Sequence, residues 1–348
     1  ELNNCNIISN ENYTVCVNEK GEGFSKYKNF YINRYKATNE FPQGIFFYIK
    51  NIKSKKIWST AYMSNLEKPD KYRIHFMPDR DKFVRIDGNI ETTLKIVTAQ
   101  DCPVEIRKIE LKNIGNTEEI LEITSYLEPV LSKKEQDYAH MAFNNLFLKY
   151  DFLNNTNTVL VKRNKRGSQG EIFLGVNLYT DDDTIGELEY EIDKEKLIGR
   201  TNLKIPEMIK ESKPLSKKIG LVVDPIIALK RTVKINPGEK ITLNLIICVS
   251  ENKEKIEKYI EKYTNAENIN RTFEFAKAKV EEESRYLNIK GKDIDVYQKM
   301  LSYLLFQNPT KKLYINKLPK RTYSQEELWK FGISGNNPIL LVKIQDVN

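Results

Sequence analysis

A chain of 348 residues exceeds the usual single domain, so two domains, or one large β domain with an appendage, are expected. With 40% apolar and 10% aromatic residues the chain can bury a real core, which excludes disorder as a whole. The net charge of +8 invites a nucleic-acid partner, but only 12 of the 56 basic residues are Arg and the Lys are interleaved with Glu and Asp, so no nucleic acid is expected.

From about residue 10 to 250 the chain reads as strands separated by turns. Ile45–Ile49 is an apolar run rich in β-branched and aromatic residues, long enough for a strand and too short for a helix. Val84–Ile86 and Ile90–Val97 flank Asp87-Gly88, a hairpin signal because Gly accepts the positive φ of a tight turn. Val104–Leu111 partly alternates, turns at Asn113–Asn116, and returns as Ile120–Leu127. Val233–Ile235 and Ile241–Ile247 surround a second turn, Asn236-Pro237-Gly238-Glu239. Many short strands with no helix between them argue for a β-sandwich, and about 240 residues suggest a double one.

The period then changes. Lys253–Ile260 reads as helical, Ile269–Leu287 places Phe273, Ala276, Val280 and Leu287 near helical spacing, and Ile294–Phe306 presents Tyr297, Leu301, Leu304 and Leu305. Asn308-Pro309 ends this third helix, since the residue before Pro disfavours helix. Residues 310–325 read as a polar loop, and Ile339–Ile344 fits strand or helix equally.

Cys5, Cys16, Cys102 and Cys248 form no C-x-x-C pair, and with two His in the chain no metal site is expected. Buried thiols and a reducing, cytoplasmic compartment fit better. No signal peptide and no apolar run near the ~20 residues of a membrane span is visible. The opening Glu1-Leu2-Asn3-Asn4, without Met, suggests an excised piece of a longer protein.

Gly21–Tyr27 with Asn33–Lys36, Ile57–Tyr62, Thr124–Leu131 with Asp137–Phe147, and Ser324–Pro338 together resemble glycoside hydrolase family 94, which holds cellobiose-type phosphorylases and part of the cyclic β-1,2-glucan synthases. Gly21-Glu22-Gly23-Phe24-Ser25-Lys26-Tyr27 with Asn33-Arg34-Tyr35-Lys36 resembles a front loop and strand of that family. Ile57-Trp58-Ser59-Thr60-Ala61-Tyr62 is similar to its hairpin. Thr124–Leu131 and Asp137–Phe147 resemble its T-S-Y-x-E-x-V-L and A-H-P-A-F-x-N-L-F stretches, with Met141 in place of Pro. Ser324–Pro338 resembles Q-S-x-L-W-x-x-G-I-S-G-D-x-P, with Asn336 where the pattern has Asp. Pro214–Lys217 and Val223–Ile226 are similar to the synthase and oligoglucan phosphorylase branch.

The resemblance implies a mainly β fold: a large antiparallel β-supersandwich, galactose-mutarotase-like, over 1–250, then linker α-helices over 251–309 and the start of a truncated (α/α)6 barrel over 310–348. It implies a β-glucan oligosaccharide as partner, a possible homodimer, and the rest of the parent polypeptide, which could be membrane-tethered if of the synthase type. No cofactor is implied beyond inorganic phosphate as co-substrate of the complete, inverting enzyme. The family's catalytic acid lies in the barrel, so no catalytic residue is assigned and the chain alone is expected to be inactive. Ser25, Arg34, Trp329, Ser334 and Asn336 are the substrate-binding candidates. The alternative is a stand-alone carbohydrate-binding or scaffold module.

Plainer readings stand beside these. Gly21-Glu22-Gly23 with Lys26 could cradle phosphate, but without a strand–helix context a turn needing close backbone approach is favoured. Trp58 fits hairpin packing, and Trp329 fits packing or sugar stacking equally. His140 reads as a hydrogen-bonded structural residue and His75 as a strand residue. Asp181-Asp182-Asp183 lacks the Gly and Glu of a calcium loop and reads as a solvated turn, as does the basic turn Arg163, Lys165, Arg166 and Gly167.

Overall fold

The computed structural model describes residues 5–35, 43–63, 66–164, 170–199, 205–305, 324–336 and 339. Lys165, Arg166 and Gly167, the helix stop at Asn308-Pro309, the loop over 310–323 and the apolar run from Leu340 lie outside the described residues.

The chain opens with β1 (Cys5–Ser9), β2 (Tyr13–Asn18), β3 (Gly23–Tyr27) and β4 (Phe30–Asn33), followed by the hairpin β5 (Phe46–Asn51) and β6 (Ile57–Trp58). A second meander comprises β7 (Lys71–Phe76), β8 (Asp81–Asp87), β9 (Ile90–Thr98) and β10 (Val104–Asn113). After β11 (Glu119–Leu127) and β12 (Pro129–Ser132) come two short helices, α1 (Lys134–Ala139) and α2 (Met141–Asn145). The strands β13 (Leu148–Leu153), β14 (Thr158–Arg163), β15 (Ile172–Tyr179) and β16 (Glu189–Asp193) precede α3 (Lys194–Ile198) and α4 (Glu207–Lys210). Then β17 (Pro225–Ile235) and β18 (Lys240–Ser250) lead into α5 (Lys253–Tyr263), α6 (Ala266–Tyr286) and α7 (Gly291–Leu305).

These strands build three antiparallel sheets. Their orders are β1-β2-β3-β4-β12, β13-β14-β15-β18-β10-β9-β8-β7 and β16-β17-β11-β5-β6. Alternating side chains explain the stacking: Ile109 and Leu111 of β10 face the same core as Leu121 and Ile123 of β11. Here the structure corrects the sequence reading. β11 does not return beside β10 but pairs with β17 and β5, while β10 pairs with β9 and β18. The turns at Asn113–Asn116 and Asn236–Glu239 are therefore arches between sheets. Each strand buries one face, and crossing to the opposite layer buries it against a second sheet. Asp87-Gly88, by contrast, closes a true hairpin between β8 and β9.

The outer face of the eight-stranded sheet carries a second core. Val97, Ile106, Ile246 and Cys248 pack under Ile256, Ile260 and Tyr263 of α5 and Ile269, Phe273 and Ala276 of α6. The spacing of these helical residues puts them on one face. Both helices start on an Asn cap: Asn252 accepts from the Glu254 N–H at 2.7 Å and Asn265 from the Asn268 N–H at 3.0 Å, each worth about 1 kcal/mol. A third cluster packs Leu197, Ile209 and Leu215 on Phe46, Tyr48 and Tyr126, the outer face of the second five-stranded sheet. All four cysteines are free and buried. Among the described residues no helix is long and apolar enough to cross a membrane.

Candidate functional site

Ser25 sits on β3 with its side chain inside the sandwich. Its backbone N–H donates to Asn33 Oδ1 at 2.8 Å and its hydroxyl to Glu105 Oε2 at 2.5 Å. Tyr13 donates to the same oxygen at 2.9 Å, and Arg107 Nε donates to the other at 2.6 Å. Glu105 is thus a buried acceptor satisfied on both oxygens, and burial followed by its charge pushes the Tyr13 hydroxyl far above its usual pKa. Ser25 is 0% exposed, so its hydroxyl serves this interior network.

Arg34 builds a second network at the end of β4. Its Nε and Nη2 donate to the two oxygens of Asp137 at 2.9 and 2.7 Å, a bidentate pair. Its Nη2 also reaches Asn145 Oδ1 at 3.0 Å, and Nη1 reaches Glu128 Oε2 at 3.3 Å. Glu128 accepts further from Tyr126 at 2.9 Å and Lys194 at 2.8 Å. Burial would raise its pKa, but Lys194 and then Arg34 outweigh burial and hold the carboxyl below its usual range. Asn144 donates to Asp137 at 3.2 Å and accepts from Arg163 Nη2 at 2.7 Å. The stretch Asp137–Phe147 is therefore a clamp: Asp137, Asn144 and Asn145 point inward and tie α1 and α2 to β4 and β14.

His140 reads in sequence as a hydrogen-bonded structural residue, and it makes its hydrogen bonds through its backbone. Its ring lies at the surface between α1 and α2, and its backbone carbonyl accepts from Asn144 N–H at 2.9 Å. Trp58 is fully buried and donates to Thr92 Oγ1 at 3.2 Å, so it packs the hairpin to β9. The Gly21-x-Gly23 segment leads into a strand, not a helix. A Cβ at Gly23 would stand 1.9 Å from the Cys16 carbonyl oxygen, so backbone approach explains the glycine.

The remaining candidates meet in one turn. A 3-10 helix, Gln325–Phe331, leads into it. Gln325 Nε2 donates to Ser334 O at 2.7 Å and to Asn336 Oδ1 at 3.1 Å, and Trp329 Nε1 donates to Ser334 O at 3.3 Å. Gly335 takes φ +73°, and a Cβ there would stand 2.8 Å from Gln325. The turn brings Trp329, Ser334 and Asn336 together while leaving the Trp329 ring 61% exposed. It does not bring them into either of the networks of Ser25 and Arg34.

Sequence reading missed a cleft of about 920 Å³ between β1, β7 and α7. His75, Lys82, Asp295, Gln298, Lys299 and Ser302 line it, and Gln298 donates across it to Asn6 at 3.0 Å. No motif could flag it, because its walls lie some 290 residues apart in sequence. Among the described residues no cluster of His, Cys, Asp and Glu is placed to hold a metal ion.

Three antiparallel sheets followed by helices make this protein a mainly β supersandwich. The family model described as glycosyl hydrolase 94, supersandwich domain, matches residues 1–266, and the chain belongs to that family. It is homologous to the cyclic beta-(1,2)-glucan synthase NdvB of Rhizobium meliloti (strain 1021), at 25% identity over 344 residues. The match covers 98% of this chain and 12% of the relative's length. Among solved structures, a bacterial glucoamylase complexed with acarbose is similar at 10% identity and TM-score 0.42, over 80% of this chain and 37% of the other. A putative kojibiose phosphorylase from human microbiome is similar at 8% and 0.37, over 85% and 34%. A putative aldose 1-epimerase from Escherichia coli K12 is similar at 8% and 0.39, over 71% and 98%.

Proposed function

We propose that this chain is the carbohydrate-associated sandwich and linker region of a family 94 β-glucan phosphorylase or cyclic glucan synthase, and that it has no turnover of its own. The observation that carries this reading is the state of the two carboxylates in its family-like stretches. Glu128 and Asp137 are both engaged by Arg34, at 3.3 Å and at 2.9 and 2.7 Å. A general acid in an inverting enzyme needs a raised pKa and access to the leaving oxygen. Glu128 has the opposite shift, and Asp137 is buried. Asp81 is pushed up to about 7 by burial but is 0% exposed. In this reading phosphate is a co-substrate bound by the rest of the parent protein, and the turn at Trp329 belongs to the entrance of its barrel. The four buried free thiols suit a reducing, cytoplasmic compartment. Incubating the 348-residue chain with β-1,2- or β-1,4-gluco-oligosaccharides and phosphate should release no glucose 1-phosphate; measurable release would overturn the reading.

A second reading, a carbohydrate-binding or scaffold module, is favoured by the exposed Trp329 ring and the cleft beside α7. An exposed indole can stack on a pyranose face. Titration calorimetry with the same sugars at millimolar concentration separates the two: heat supports binding, and its absence leaves a structural role.

A further inference from the structure

The lysines that look dispersed in sequence are sorted by the pleat of the eight-stranded sheet. Register fixes three rows across its outer face, the third bordering α6, where Lys108 donates to Asn270 at 2.9 Å. The first row is Lys71, Ile86, Glu91, Lys112, Lys240. The second is Arg73, Val84, Thr93, Glu110, Thr242, and the third His75, Lys82, Lys95, Lys108, Asn244. Seven of these fifteen positions are Lys or Arg and two are Glu. The next row, Val97, Ile106 and Ile246, is apolar and lies under the helices. The change from apolar to basic therefore falls at the edge of the helix cover, and the first two rows carry the exposed Lys71, Arg73, Lys112 and Lys240.

Two features of this array oppose folding stability. Lys82, Lys95 and Lys108 stand directly opposite one another on three successive strands, and Lys112 faces Lys240. Like charges in cross-strand pairs are destabilising. Glu110 gives partial relief, at 2.9 Å from Lys95 and 3.5 Å from Lys240. Burial, opposed by Glu110 but reinforced by Lys95 and Lys240, keeps the Lys108 ammonium below its usual pKa. Lys71, Arg73, Lys82 and Lys112 have no carboxylate within ion-pair distance among the described residues. Six of the seven cations are Lys, point charges without the guanidinium fork that reads phosphates one by one. They spread over five strands, about 19 Å at the usual ~4.8 Å strand spacing, as a patch and not along a single track.

We propose that this basic outer face, centred on β7–β10 and β18, is a docking surface for an anionic phospholipid bilayer. A headgroup layer is a diffuse array of negative charge, and it matches a spread of ammonium groups without needing directional contacts. Binding would also offset the repulsion among the facing lysines. His75 and Lys82 additionally line the cleft beside α7, so docking and that cleft share an edge.

The test is co-sedimentation of the full 348-residue chain with vesicles of phosphatidylcholine alone, and of phosphatidylcholine with about one-third phosphatidylglycerol. Binding is expected only to the anionic vesicles, with loss at high salt because exposed charges are screened beyond ~10 Å at 0.1 M ionic strength. The triple variant Lys71→Glu, Lys112→Glu, Lys240→Glu should partition at least tenfold less, with an unchanged circular dichroism spectrum; these three side chains are exposed. The milder Lys→Gln triple should fall between, and it serves if the reversal unfolds the protein. No anionic-vesicle binding, or binding unchanged in either triple, would overturn the proposal. Salt-sensitive retention on duplex DNA without vesicle binding would overturn it in favour of a nucleic-acid partner.

Discussion

Arg34 and Asp137 form a bidentate ion pair across 103 residues of sequence, with both side chains almost wholly out of solvent (2% and 4%). The pair fastens α1 to the end of β4 where two sheets and the short helices meet. Removing one member leaves an unpaired buried charge, so Arg34→Ala or Asp137→Asn should cost about 3–5 kcal/mol in urea unfolding. Arg34→Lys should recover only part of this, because an ammonium cannot span both carboxylate oxygens. A loss below 1 kcal/mol for Asp137→Asn would show that the clamp does not stabilise the fold.

Asp81 gives stability a pH dependence of the opposite sign to that of the paired carboxylates. Burial raises its pKa from 3.8 to about 7, against the Asn6 amide, which donates to it at 2.7 Å. Between these two values the folded chain holds a proton that the unfolded chain has lost. Its contribution is therefore fully present below about pH 4 and is lost as pH rises through 7, a change of roughly 4 kcal/mol. Glu128, held low, contributes stability above its unfolded pKa that is lost as pH falls through its folded value. The difference between wild type and Asp81→Asn isolates the first effect. The wild-type advantage measured by urea unfolding at pH 5 should shrink or reverse at pH 8; a difference independent of pH would refute the assignment.

Gly23→Ala should destabilise by about 2–3 kcal/mol, because the new methyl meets the Cys16 carbonyl oxygen at 1.9 Å across a strand pair that cannot separate without breaking its ladder. Gly170→Ala is the matched control: nothing lies within 4 Å of its Cβ, and it should be neutral. Thermal melts of the two variants, run side by side, test whether packing requires the glycine at position 23; equal melting temperatures would count against it.

Strand positions were legible where alternation and turn residues coincide, as at Asp87-Gly88. The same signals could not reveal that Asn113–Asn116 and Asn236–Glu239 are arches, because a turn sequence fixes chain reversal but not which layer receives the next strand. The helices after Ser250 were legible from the shift in period, and Ile256, Ile260 and Tyr263 confirm the buried face. The site was less legible. The resemblance makes Ser25 and Arg34 candidates, but nothing in the sequence points to their bonding partners Glu105 and Asp137, 80 and 103 residues away. The basic face was hidden for a related reason: its cations come from five strands, and only register sets them side by side on one face.

The two tryptophans give the carbohydrate reading an optical test. Trp58 is sealed in the core, 1% exposed, while Trp329 is 61% exposed and held by its Nε1 bond to Ser334 O. Emission should therefore contain a blue-shifted component that acrylamide cannot reach and a red-shifted one that it quenches. Trp329→Phe should remove the second and leave the first, with little loss of stability because the ring buries little area. If the turn stacks on a sugar, β-gluco-oligosaccharides should shield the quenchable component in wild type and change nothing in Trp329→Phe. Asn336→Asp supplies the carboxylate of the family pattern, which accepts sugar hydroxyls more strongly than an amide. It also exchanges the acceptor of Gln325 Nε2 for a charged one at the same position, so the turn should persist. Shielding that strengthens in Asn336→Asp would identify this turn as a sugar contact; shielding that survives Trp329→Phe would locate the sugar elsewhere in the fold.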